Sequence, residues 1–337
     1  MVEMMERITM EHGSGGYATR KLITEIFEQE FSNETLSEME DAAVVEGSPR
    51  IAVTTDSFVV TPLEFPGGDI GRLSICGTVN DLLMRGAVPK YITCGFILEE
   101  GADVAQLKRI VRSMAETAQE AEVKIVAGDT KVVEGAGGIF INTAGVGFVA
   151  EDVDIKASGS REGDVILVSG NLGDHHAAIL SSRMEIQNSI QSDNAPLNDM
   201  VTKLLEHKIE VHALRDVTRG GLATVLKELA ADSGLKFEIE ESKIPVDPQV
   251  RDFCGLLGLD PLYMGNEGKM AVVVAGRDAE RALTIVRGAA YGENAAVLGE
   301  VKAPENDAES GRLILKTRIG GRRILEELQG EGLPRIC

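Results

Sequence analysis

The sequence predicts a two-domain α/β (α+β) protein, with a first domain at 1–152, a second at 153–324 and a tail at 325–337. Three observations predict it. Strand-like and helix-like segments alternate along the whole chain. The alternation breaks near 151–164, where the polar, irregular run EDVDIKASGSREGD reads as a boundary. Finally, 337 residues with 43% hydrophobic content suffice for two cores.

In the first domain, 17–30, 70–85 and 103–121 read as helices, the last with apolar residues at helical spacing. The runs 51–55 (IAVTT), 91–97 (YITCGFI), 123–127 (VKIVA) and 139–147 (IFINTAGVG) read as strands. In the second, 165–169 (VILVS) reads as a strand, and Gly170-Asn171-Leu172-Gly173-Asp174 leads into a helix from about 175. Then follow a helix at 218–231, a strand at 271–275, a helix at 278–288 and a strand at 296–301. There is no short repeat and no low-complexity segment.

The net charge of −20, from 34 Lys and Arg against 54 Asp and Glu, argues against a nucleic-acid partner, because phosphate backbones are held by an excess of cations. A nucleotide remains compatible, since one Mg²⁺ and a few local cations suffice for it. No apolar run approaches membrane-spanning length, and Met1 to Met10 carry Glu3, Glu6 and Arg7 with no apolar h-region. A soluble, cytoplasmic protein without membrane contact is expected. Of four cysteines none forms a CxxC pair, which argues against zinc, iron–sulfur and disulfide frameworks. Cys76, Cys94 and Cys254 sit among apolar neighbours and read as small hydrophobes. Cys337 ends the sequence, after Gly330, Gly332 and Pro334. A mobile 326–337 would reach about 40 Å at roughly 3.3 Å per residue, whereas position alone makes Cys337 a frayed end.

Asp56 follows IAVTT and Asp129 follows VKIVAG, while Asp41 lies in MEDAAVV and Asp81 in TVND. Carboxylates at the ends of neighbouring strands converge on one edge of a sheet, where they suit Mg²⁺ shared with substrate phosphates. Singly, each reads as a turn or cap residue. His12-Gly13-Ser14-Gly15-Gly16 lets backbone N–H groups approach a phosphate, or is a plain N-terminal turn. In Gly128-Asp129-Thr130-Lys131 the lysine either faces a phosphate and moves a proton, or is solvated. In Arg215-Asp216-Val217-Thr218-Arg219-Gly220-Gly221, Asp216 or Thr218 reads as a helix N-cap. Glu267, in Gly265-Asn266-Glu267-Gly268-Lys269, either reaches into a cleft or sits in a hairpin loop.

Together these segments resemble the aminoimidazole ribonucleotide synthetase (PurM-like) superfamily, and within it the HypE family of hydrogenase maturation proteins. The resemblance also rests on Pro66-Gly67-Gly68, Cys76-Gly77-Thr78-Val79-Asn80-Asp81, Gly95-Phe96-Ile97-Leu98-Glu99-Glu100-Gly101 and the terminal Pro334-Arg335-Ile336-Cys337. It spans nearly the whole chain, and the terminal tetrapeptide is its most specific part. It implies a two-domain PurM-like fold: an N-terminal ATP-binding domain that pairs in a homodimer, and a C-terminal α/β domain.

It also implies a reaction. The carbamoyltransferase HypF loads a carboxamide onto the terminal sulfur. ATP-dependent dehydration turns it into a thiocyanate, and the cyano group passes to iron on a HypC–HypD complex, becoming a cyanide ligand of NiFe hydrogenase. By this resemblance Asp56, Asp81, Asp41 and Asp129 handle Mg²⁺ and phosphate. His12, Gly13, Ser14, Gly15, Gly16, Thr55, Asn80, Gly128 and Thr130 contact ATP. Lys131 and Glu267 flank the amide of modified Cys337 for proton transfer, as a pair in which either could be the base. The alternatives are a small-molecule kinase or synthetase of the superfamily, similar to thiamine monophosphate kinase or selenophosphate synthetase, and an ATP-gated scaffold whose thiol only tethers a partner.

Overall fold

The structure is a computed structural model that describes residues 7–39, 42–330 and 333–337. Asp41 lies outside the described residues. Among the described residues a 3-10 turn (Met10–Gly13) precedes α1 (Tyr17–Leu22), which continues through a π-helical stretch (Ile23–Glu28) into α2 (Gln29–Phe31). Strand β1 (Ile51–Phe58) and the short pair β2 (Glu64–Phe65) and β3 (Gly68–Asp69) follow. Asp69 then caps α3 (Ile70–Leu83) by accepting the Arg72 N–H. Strand β4 (Ala87–Glu99), α4 (Val104–Glu120), β5 (Lys124–Val133) and β6 (Ile139–Val149) complete the first domain.

These strands form one sheet in the order β1-β6-β4-β5, antiparallel except for the parallel β4–β5 pair. Helices α3 and α4 pack together, and α3 covers the inner face of the sheet. Almost every residue of α3 is buried, because one side meets the sheet and the others meet α4 and the second domain. The outer face lacks such a cover: Val53 is 71% and Ile51 51% exposed, beside the edge-to-face Tyr91–Phe148 pair.

The strands run longer than expected. Asp56 sits inside β1, opposite Thr143 of β6, and Asp129 inside β5, opposite Gly95 of β4. The polar residues continue the ladder because a partner strand satisfies their backbone groups and their side chains reach solvent.

The second domain comprises β7 (Val165–Val168), α5 (Asp174–Arg183), α6 (Asn198–Glu206), β8 (Val211–Asp216), α7 (Gly221–Ser233) and β9 (Lys236–Glu240). After them come α8 (Pro248–Leu257), β10 (Met270–Val274), α9 (Ala279–Arg287), β11 (Ala296–Lys302), β12 (Leu313–Lys316) and β13 (Arg322–Leu325). Its sheet has the order β13-β12-β9-β11-β7-β10-β8. Both faces of its centre are covered, so β10 is buried at every position. Met270, Val272 and Val274 point into the core that continues into the first domain, and Ala271 and Val273 into the core under α7. Among the described residues no helix is long and apolar enough to cross a membrane.

Candidate active site

Asp81 is carried by α3, and Thr54 of β1 donates to its Oδ2 at 2.7 Å. Gly77, one turn earlier, lets the helix approach β1: a Cβ there would lie 2.9 Å from Phe58 Cζ. From the second domain comes Asp216, the last residue of β8. The expected helix cap is not formed: α7 begins at Gly221 behind Gly220, and neither Asp216 nor Thr218 caps it. The left-handed backbone of Gly220 and Gly221 lets the chain turn without a capping side chain, and frees Asp216 for a cavity of about 490 Å³ between the domains.

Asp56, Asp81, Asp216, Glu267 and Cys337 all line that cavity, with Thr55 beside them. Glu267 reaches it from a loop that Asp193 pins: Asp193 Oδ1 accepts the Glu267 N–H at 3.1 Å and Oδ2 the Gly268 N–H at 3.3 Å. Only glycine fits at 268, because a Cβ would lie 1.9 Å from the Asp193 carbonyl oxygen. The loop is therefore a rigid arm into the cleft.

Crowded, partly desolvated carboxyl groups hold their protons tightly. Burial, then the neighbouring Asp81, pushes Asp216 up to about 7. Burial raises Asp81 as well, against the Thr54 hydrogen bond. Glu267 is raised well above the carboxylate range by burial, then by Asp193, Asp216 and Asp56. The Cys337 thiol, hydrogen-bonded to Glu267, is raised by burial and by that carboxyl group. The neighbouring Arg215 is drawn away to Glu228 at 3.0 Å. This crowding of carboxyl oxygens, which Arg219 offsets only in part at Glu267 and Cys337, fits a divalent cation. Among the described residues no three acids close round an ion on their own, so a Mg²⁺ here would need water and substrate phosphate to complete its shell.

The last residues of the sequence are seated. Val59 N–H donates to Cys337 O at 3.1 Å, Thr61 N–H to Arg335 O at 3.1 Å, and Ile336 is 4% exposed. Sequence reasoning missed His175 and Arg183, which grip this segment, and Asp193. No motif marks them: each lies in a stretch whose pattern is that of an ordinary helix or loop.

A second cavity, of about 310 Å³, lies at the other edge of the four-stranded sheet. Phe27, Phe31 and Phe96 form its apolar floor, and Gly13, Gly15, Gly128, Asp129, Thr130 and Lys131 its polar rim. Gly13 must be glycine, since a Cβ would sit 2.8 Å from Val132 of β5. His12 turns inward, its Nδ1 3.0 Å from the Thr9 nitrogen, and Ser14 Oγ donates to Glu11 O at 2.8 Å. Gly16 precedes the first residue of α1. Lys131 Nζ binds both oxygens of Asp129, at 2.7 and 2.6 Å, and that bond lowers the Asp129 carboxyl.

Three expectations are corrected here. Asp56 pairs with Thr143, Thr143 with Cys94 and Cys94 with Gly128, so one row crosses the whole sheet. Three strand spacings put Asp129 about 14 Å from Asp56, and Lys131 lines a different cavity from Glu267. Within one chain these residues do not share a metal or an amide. Asn80 is also not a nucleotide contact. It is 3% exposed, donates to Ala195 O at 3.1 Å and accepts the Leu197 N–H at 2.9 Å, because the buried segment crossing between domains needs partners.

Two family models match the chain: AIR synthase related protein, N-terminal domain, at residues 39–149, and AIR synthase related protein, C-terminal domain, at 161–310. The chain is 49% identical to the carbamoyl dehydratase HypE of Cupriavidus necator, over 98% of this chain and 95% of that protein. It superimposes on a crystal structure of the hydrogenase maturation protein HypE in complex with ATP with a TM-score of 0.94, at 45% identity, covering 97% of this chain and 99% of that one. HypE in a crystal structure of the HypE–HypF complex matches with a TM-score of 0.79 at 47% identity, covering 91% and 99%.

Proposed function

Since the chain belongs to the HypE family of carbamoyl dehydratases, we propose that it converts an S-carboxamide on its own Cys337 into a thiocyanate with ATP. The carrying observation is Cys337 itself, seated beside Glu267 in a cavity with three aspartates.

The reaction is R–S–C(=O)–NH₂ + ATP → R–S–C≡N + ADP + phosphate. The amide oxygen bonds to the terminal phosphorus as the bond to ADP breaks, which turns a poor leaving group into phosphate. One N–H proton then goes to a base and the other leaves with the phosphate while C–O breaks and C≡N forms. Glu267 suits the base. It is fixed by Asp193 and lies beside the sulfur, and in its ionised form its raised proton affinity would make it a stronger acceptor for a weakly acidic N–H. Asp56, Asp81 and Asp216 would hold Mg²⁺, whose charge stabilises phosphate oxygens when bound.

Asp129, Thr130 and Lys131 enter through a second copy. Two such sheets facing each other bury the apolar outer face, and a two-fold axis along the strands sets β1 of one beside β5 of the other. Because Asp56 and Gly128 share a row, this rotation brings Asp129 and Lys131 of the partner subunit level with Asp56. The apolar floor beneath that rim suits an adenine base, and the glycines of 13–16 its phosphates.

HypF is the donor of the carboxamide in this reading and a HypC–HypD complex the acceptor of the cyano group, all in the cytoplasm where ATP is available. A kinase of a free small molecule would have no use for a sulfur of its own chain in this cavity. The test is peptide mass analysis after incubation with the carbamoyltransferase, carbamoyl phosphate and ATP. Cys337 should gain one carbamoyl group and then lose one water. A tail that stays unmodified, or keeps its carbamoyl group with ATP present, would sink the reading.

A further inference from the structure

The seated segment is held almost wholly through its backbone. Arg183 Nη1 donates to Pro334 O at 2.7 Å, Nη2 also donates to Arg335 O, and Nε is fixed on Thr61 O at 2.7 Å. His175 Nε2 lies 2.7 Å from Ile336 O. A carbonyl can only accept, so Nε2 carries the proton and Nδ1 accepts from Ser192 Oγ at 2.7 Å. Ser192 is itself fixed, its N–H donating to Pro66 O at 2.8 Å. With the bonds from Val59 and Thr61 to Cys337 O and Arg335 O, every carbonyl of 334–337 is taken. One side chain is fully used: Ile336 is 4% exposed and its Cδ1 packs at Gly265, where a Cβ would lie 3.5 Å away. Arg335 stays at the surface, donating to Val59 O at 3.0 Å with its guanidinium 5.8 Å from the Phe140 ring centre.

We propose that Arg183 and His175 form a peptide dock that reads the main chain of 334–337, with Ile336 as its side-chain anchor, and that it accepts the same peptide in trans. The dock deepens the reading of Cys337 as the enzyme's own substrate. It measures the sulfur into the cavity from carbonyls one to three residues away, so the backbone sets the register beside Glu267, and the thiol's own hydrogen bond to Glu267 is not needed to hold it. A free, carbamoylated or cyanated sulfur can therefore occupy the same register. Arg183 and His175 act through the peptide and are positioning residues. Burial also keeps the His175 ring neutral, against the nearby Asp193, which leaves Nδ1 free to accept from Ser192.

The test uses the full-length chain and iodoacetamide. While docked, Cys337 is shielded and its thiol held protonated; Cys76, Cys94 and Cys254 are buried and report on the fold. Arg183→Ala and Ile336→Asp should each speed alkylation of Cys337 about tenfold or more, with the other three cysteines still protected. His175→Ala should do the same and His175→Gln, which keeps a donor near Nε2, should restore slow alkylation. In the Ile336→Asp chain the vacated groove should bind a labelled peptide ending Leu-Pro-Arg-Ile-Cys saturably and should reject Leu-Pro-Arg-Asp-Cys. Rates within about twofold of the parent in both Arg183→Ala and Ile336→Asp, or equal binding of the two peptides, overturn the dock. Neither measurement needs ATP or a carbamoyl group, so the dock can fail while ATP-dependent water loss persists, and the reverse.

Discussion

Asp193 holds Glu267 by its backbone: the carboxylate accepts the Glu267 N–H at 3.1 Å, and the next N–H, of Gly268, at 3.3 Å. The side chain proposed to take the proton is thus aimed by a residue whose own carboxyl group is nearly buried. Asp193→Ala leaves two amides unpartnered and frees the arm. Water loss from carbamoylated Cys337 should fall by about a hundredfold or more, as expected when a reacting group is misplaced by an ångström. Single-turnover mass analysis measures it, with carbamoylation by the transferase as the step that stays intact.

Glu267→Gln keeps the shape and removes the base. Carbamoylated Cys337 should accumulate with its water retained, and the rate of loss should drop by about 10²–10⁴-fold. A variant that still forms thiocyanate at the parent rate would remove Glu267 from the proton transfer.

Lys131→Ala and Cys337→Ala should each be inactive alone. Mixed and allowed to exchange subunits, they should regain activity towards one functional site in each mixed dimer, because the proposed dimer draws Lys131 and Cys337 of one site from different copies. Failure of the mixture, with subunit exchange verified by mass, would place both residues in one chain's site.

Asn80→Ala should weaken the seam between domains. It leaves Ala195 O and Leu197 N–H without their buried partner, at a cost of about 1–3 kcal/mol. Urea unfolding measures the loss. ATP affinity at saturating Mg²⁺ should change little, as Asn80 is turned away from both cavities.

Asp174 gives the fold a pH dependence with a fixed sign. Burial, then Asp193, pushes it from 3.8 up to about 7, and its Oδ1 has no partner among the described residues. The folded state therefore binds the proton more tightly than the unfolded one. Its contribution to stability is present below about 4 and is lost as the pH rises towards about 7. Asp174→Asn should remove that slope, so the variant gains on the parent between pH 5 and pH 8. Thermal melting at the two pH values checks it, and a gain that shrinks with rising pH would reverse the assignment.

Much of this site is written locally. Asp56, Asp81 and Glu267 stand in motifs whose glycines and alternation can be read directly, and Cys337 is conspicuous by position. The arrangement of the strands is not local. Asp56 and Asp129 look alike in sequence, each following an apolar run, yet β6 and β4 intervene between their strands. Segments without a strong pattern also went unread. Strand β8 carries Arg215 and Asp216 at its C-terminal end, and its tertiary partner β10 sets its boundaries rather than propensity. His175 and Asp193 act only through segments that are far away along the chain, Ile336 in one case and Glu267 in the other. No spacing rule could bring them together.

Residues 80 and 81 are neighbours on one turn of α3. Their side chains leave the helix roughly 100° apart: Asn80 fastens the strap that joins the domains, and Asp81 faces the acid-lined cavity. A hinge motion that pulls on 195–197 therefore turns the helix under Asp81 directly. Opening the molecule and unsettling its carboxylates are one mechanical event, driven through a single peptide unit.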